Sequence, residues 1–158
     1  MDESLKNRED ALRFLKENAT AVVATSFKDQ PRASTVYYFV DDDFNFYFAT
    51  KRKTSKYINA ELNPNAAVVV GSGPEHISVQ FYGQIELIVN DVERQRLTEI
   101  LVGSQNLRGT KIWPIDELRD LRYGQKVVFK IIPEELFYMN LDSTKHPHTI
   151  SNEFIKII

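Results

Sequence analysis

Three β-rich runs separated only by turn-length gaps fill the first third of this chain. Thr20–Phe27 is short and rich in β-formers, Lys28-Asp29-Gln30-Pro31 supplies a turn, and Arg32–Val40 crowds Thr35, Val36, Tyr37, Tyr38 and Phe39 together. Asp41-Asp42-Asp43 reads as a hairpin turn, after which Phe44, Phe46 and Phe48 alternate with Asn45, Tyr47 and Ala49. Gaps this short cannot hold a crossover helix, so the strands must follow one another antiparallel, as a meander.

The rest of the chain keeps that character. Ala66–Val70 is a short apolar strand expected at a central position, and Gly71-Ser72-Gly73-Pro74 breaks the chain after it. Ile77–Val89 reads as a long strand with Gly83 as a bulge or bend. Lys126–Ile132 is a further strand, and Leu136–Leu141, beyond Pro133, is the last. Helical spacing marks Ser4–Asn18, with Leu5, Leu12 and Leu15 on one face, and Ser55–Leu62, where Ile58 and Leu62 stand at i, i+4 before Asn63-Pro64. A third helix is expected over Asp91–Val102, capped by Asn90 or Asp91 and burying Leu97, Ile100 and Leu101. Gly103–Gly109 reads as a loop, and Trp113–Leu121 as a short helix with proline in its first turn. The apolar end, Phe154–Ile158, is expected to dock, on this chain or on a second subunit. The pattern predicts a mainly β chain with a few helices, a six- or seven-stranded antiparallel barrel or sandwich.

No linker or repeat divides the 158 residues, so residues 1–158 are expected to form one domain. There is no cysteine, which removes disulfides, thiolate zinc sites and a thiol nucleophile, and fits a cytoplasmic address. The net charge of −2 gives no global field for nucleic acid, and no apolar run is long enough to span a bilayer.

Familiar catalytic signatures are missing: there is no Gly-x-Gly-x-x-Gly, no Walker loop, no Gly-x-Ser-x-Gly and no His-Glu-x-x-His. His146-x-His148 reads as a solvated tail, His76 as a loop residue, and Asp41–Asp43 as a solvated turn. The informative stretch is Thr50-Lys51-Arg52-Lys53-Thr54-Ser55-Lys56, four cations and three hydroxyls between a strand and a helix start. Free N–H groups, hydroxyls and lysines can together hold a phosphate monoester; the same residues would also make a solvated basic turn.

The chain resembles the FMN-binding split-barrel family related to pyridoxamine 5′-phosphate oxidase. The resemblance rests on the order and spacing of Pro31–Tyr38, Phe44–Thr50, Thr54-Ser55-Lys56 and the Pro64 that follows eight residues later, and Ala66–Gly71; Gln80–Glu86 matches the next strand. It covers Phe14 to Val89, more weakly beyond. It implies a split β-barrel that holds FMN at the interface of a homodimer and an oxidoreductase acting on a small molecule, with the flavin supplying the redox chemistry. By that likeness Lys56 matches the phosphate-binding lysine, with Lys53 or Arg52 beside it. Ser34, Thr35, Val36 and Tyr37 would lie along the ring and ribityl chain, Thr50 would reach the ribityl or phosphate, and Ser78 or Gln80 would contact the flavin from across the site.

The chain departs from the family at Ser55 and Ser34, where members carry arginines, and its tail lacks the arginine-rich ending of true pyridoxamine phosphate oxidases. Non-catalytic flavin binding, a deazaflavin or haem relative, and an enzyme-free interaction domain are the other classes this fold would allow.

Overall fold

The computed structural model describes residues 2–71, 76–107, 126–141 and 154–158. The elements run α1 (Glu3–Glu17), β1 (Thr20–Phe27), β2 (Gln30–Val40), β3 (Phe46–Lys51), α2 (Ser55–Leu62), β4 (Asn65–Gly71), β5 (Ile77–Leu87), α3 (Asp91–Leu107), β6 (Lys126–Asn140) and β7 (Ile155–Lys156). The sheet order is β3-β2-β1-β4-β5-β6-β7, and a β3–β6 pairing closes the first six strands into an antiparallel barrel. Closure leaves two splits. β3 meets β2 only from Tyr38↔Phe48 to Val40↔Phe46, so the upstream half of β2 rests on β1 alone. β3 meets β6 only as far as Ile131, and the far half of β6 takes β7 instead.

Alternation along each strand fills the barrel with Val23, Tyr38, Phe46, Phe48, Val68, Val79, Phe81, Phe129, Ile131 and Leu136. Phe46 sits among the rings of Tyr38, Phe48 and Phe81, with centroids 4.7, 6.0 and 5.5 Å away. α1, capped by Asp2, packs Ala11, Phe14 and Leu15 on this core, and the Tyr38 hydroxyl donates to the Leu15 carbonyl at 2.6 Å. Leu5, expected on the buried face, is 55% exposed, because α1 buries only its later half, from Asp10 to Leu15.

The structure corrects several expectations. α3 runs through Gly103 to Leu107, because buried Val102 and Gln105 carry it onward; the Gln105 amide donates to the Tyr38 carbonyl at 2.8 Å. Asn90 is its cap, accepting from the Glu93 N–H, and Leu97 and Leu101 are buried while Ile100 is 38% exposed. β6 is one strand across Pro133, which lies past the end of β3's pairing and beside the register shift at Tyr82/Gly83, where a missing N–H breaks no ladder. α2 buries Tyr57 and Ala60, leaving Ile58 and Leu62 exposed. The apolar end docks on its own chain: β7 pairs with Phe137 and Tyr138, and Ile157 and Ile158 pack on the core. The expected Trp113–Leu121 helix, residues 108–109 of the expected loop, residues 72–74 of the expected chain break, and His146 and His148 lie outside the described residues.

The Asp41–Asp43 turn is built around one carboxylate. Asp41 accepts from the N–H groups of Asp43 and Asn45, from the Asn45 amide and from the Tyr47 hydroxyl at 3.2 Å. Partial burial, then the neighbouring Asp41 charge, pushes the Tyr47 phenol up to about 12. A raised folded pKa means the contribution to stability is present below the unfolded value near 10 and is lost as pH rises towards 12. Asp41→Asn therefore lowers the Tyr47 ionisation towards that of free tyrosine, read by phenolate absorbance in an alkaline titration; an unmoved midpoint would show that burial alone sets it.

Candidate functional site

The sheet split beside α2 is where the chain gathers its unused polar groups. β3 ends at Lys51 and the backbone reverses through Arg52 and Lys53, the latter in the left-handed region at φ 73°. Thr54 then caps α2, its hydroxyl accepting the Tyr57 N–H at 3.3 Å and its carbonyl the Ile58 N–H. Thr50, buried on the inner face, places its hydroxyl 3.4 Å from that of Thr54. The N–H groups of Ser55 and Lys56 open the helix, where the positive end of the dipole favours an anion.

The cations of this run divide. Arg52 lies 5.3 Å from the Tyr57 ring centroid and donates to its hydroxyl at 3.1 Å, while that hydroxyl donates to Glu61. It is thus engaged with α2 through Tyr57. Lys53 is exposed. Lys56 is half-buried, burial holds its ammonium below the usual lysine range, and it has no hydrogen-bond or ion-pair partner among the described residues.

Asn59 and Asn63 follow Lys56 on one stripe of α2 and reach the hydroxyls of Thr25 and Ser26 on β1, each at 3.4 Å. That anchoring runs the stripe along β1, back towards the level where Val23 faces Ser34. Ser34 and Val36 share the inner face of β2, opposite Val23 and Ala21, whereas Thr35 and Tyr37 face outward. The four strand residues therefore present two side-chain faces, and only the backbone edge is common to them. At Thr35 that edge faces away from β1, where no strand is paired among the described residues.

Ser78 and Gln80 stand elsewhere in this chain. Register places Thr35, Val22, Val69, Gln80 and Phe137 in one outward row across β2, β1, β4, β5 and β6. Three strand spacings separate Gln80 from Thr35, about 14 Å. Ser78, opposite Gly71 and Met139, is buried with its hydroxyl unpartnered. The same outer face exposes Val22 and Tyr82 and carries a groove of about 430 Å³ lined by Ala24, Ser26, Ala67, Tyr82, Gln84 and Glu134.

Among the described residues no three His, Cys, Asp or Glu side chains are grouped to hold a metal, and His76 is exposed. Sequence reasoning missed Lys126, a buried lysine at the start of β6, because a lysine opening a strand gives no local signal of burial.

In three-dimensional comparison, a conserved hypothetical protein from Mycobacterium tuberculosis matches with a TM-score of 0.70 at 19% identity, over 97% of this chain and 93% of its own. A FAD-binding protein from Mesorhizobium loti matches at 0.60 and 19% identity, over 81% and 90%. HutZ, the haem storage protein from Vibrio cholerae, matches at 0.61 and 19%, over 82% and 92%. At these identities the likeness is one of fold. No curated protein matches the chain. The sequence profile described as pyridoxamine 5′-phosphate oxidase matches residues 8–140, most of the chain and every barrel strand from β1 to β6. The chain therefore belongs to the pyridoxamine 5′-phosphate oxidase-like family of split barrels.

Proposed function

We propose that this protein is an FMN-dependent oxidoreductase acting on a small molecule, with the flavin held in the split beside α2 and between the two copies of a homodimer. The observation that carries the reading is Lys56, a half-buried ammonium with no counter-charge among the described residues, at the start of a capped helix. Burying an unpaired charge is costly, and a phosphate monoester would relieve the cost. Thr50, Thr54, the Ser55 hydroxyl and the first N–H groups of α2 would complete the cradle, with Lys53 adding long-range charge. The open edge at Thr35 would take the polar rim of the ring system. Bound flavin supplies hydride and electron transfer; the chain's own task is to hold it and shield one face.

The dimer reading rests on the outer sheet face. Exposed Val22 and Tyr82, with Val69 and Phe137 partly exposed in the same outward row, give this face apolar surface that a second copy could cover. A two-fold partner seated there would bring its own Gln80 towards this chain's β2, which the single chain keeps about 14 Å apart. Gln80 then becomes a contact made across the interface, while Ser78, buried within its own chain, stays behind it.

The first test is an absorbance and fluorescence titration of the purified protein with FMN. Saturable quenching and perturbed flavin bands, followed by bleaching of the visible band with a reduced nicotinamide and its return in air, are expected. Unquenched FMN removes the flavin reading. Bound flavin that no donor bleaches leaves a carrier or sensor instead of an enzyme.

A further inference from the structure

Lys126 opens β6 on the outer face of the barrel and is 6% exposed. Its neighbour two residues on, Val128, lies under Leu97 and Leu101 of α3. Register sets Lys51 directly opposite Lys126, and like charges facing each other across an antiparallel pair oppose pairing. From α3, Arg94 adds a third positive charge and Glu99 a negative one. Arg94 is already paired with Asp91 at 2.7 Å. The Lys126 ammonium itself has no hydrogen-bond acceptor and no ion pair among the described residues.

A buried ammonium that faces Lys51 and Arg94, with Glu99 near but not hydrogen-bonded to it, is costly to hold unless an anion completes it. Thr50 faces into the barrel while Lys51, its neighbour, faces out towards Lys126, so this cluster and the α2 cradle lie on opposite faces of β3. Lys51 is exposed and leaves the cluster an approach from solvent.

We propose that Lys126, Lys51 and Arg94 form a second anion-binding site on the outer face of the barrel beneath α3, taking a phosphate group. Free inorganic phosphate and the phosphate of a larger ligand share that chemistry. Charge-assisted contacts from a buried lysine dominate, with Lys51 at the mouth and Arg94 steering.

The test titrates inorganic phosphate calorimetrically into protein saturated with FMN, so that the α2 cradle is filled; should FMN not bind, the Lys56→Ala variant serves in its place. One saturable site is expected on the otherwise wild-type surface. Lys126→Met, which keeps length and apolarity, should weaken phosphate roughly tenfold to a hundredfold and leave FMN binding as it was. Lys51→Ala, a change at an exposed position, should weaken it several-fold. No phosphate binding in the FMN-saturated or Lys56→Ala protein, or equal binding by Lys126→Met, overturns the site. Free phosphate as the physiological ligand predicts that pyridoxal phosphate binds no tighter than phosphate itself; tighter binding assigns the site to a larger phosphate ester. Either supports the site.

Discussion

Replacing Lys56 with alanine is expected to weaken FMN binding about tenfold to a hundredfold and to leave riboflavin almost untouched. The contrast follows from geometry. Lys56 is the one lysine of the Thr50–Lys56 run that is both half-buried and without a described partner. Its charge is poorly solvated in the empty protein, so a phosphate gains more from it than from exposed Lys53. A charge-assisted hydrogen bond of this kind contributes about 1–3 kcal/mol. Riboflavin has no phosphate, and its ring would meet the β2 edge, which the substitution does not reach. Fluorescence titration of both ligands against both proteins measures this directly. Equal losses for FMN and riboflavin would show that Lys56 acts through the fold of the α2 region, and the phosphate reading would fall. Lys53→Ala should cost FMN much less, since a solvated ammonium is screened and mobile.

How much of this could be read from the sequence depended on whether the signal was local. β1 and α2 carry their own boundaries: Thr20–Phe27 is closed by a turn, and Ser55–Leu62 lies between a threonine cap and Asn63-Pro64. The gathering of Thr50, Thr54, Ser55 and Lys56 around the start of α2 was legible for the same reason, since they are neighbours in the chain. Proline at 133 misled because its missing N–H counts against a strand only where a partner needs it, and β3 has stopped pairing at Ile131. Gly103 misled because helix propensity is a weak preference beside burial of Val102 and Gln105. The apolar tail said that it must dock, but not that β6 outruns β3 and offers an edge. The row Thr35–Val22–Val69–Gln80 joins four strands, and no local pattern contains that register. Lys126 was invisible in the same way.

The largest expected effect on stability is at Gly83. β5 and β6 shift register between Tyr82 and Gly83, which sets Glu134 out of the ladder as an extra residue on β6. A Cβ added at Gly83 would run into the carbonyl oxygen of Ile132 and come within 3.0 Å of the Pro133 Cα. Both obstacles are backbone, in the longest strand pairing of the barrel, and neither can rotate aside as a side chain would. Gly83→Ala must therefore either push β6 away or abolish the bulge. We expect a loss of about 3 kcal/mol or more, at the upper end of overpacking costs. Gly103→Ala is the matched control. It lies inside α3 with nothing within 4 Å of an added Cβ, so the change should stabilise by roughly 0.5–1 kcal/mol through helix propensity alone. Urea unfolding of the two variants reads opposite signs if β5 and β6 depend on that close approach. A Gly83→Ala protein as stable as its parent would mean the strands separate freely there, and the bulge would then be a consequence of the fold instead of one of its determinants.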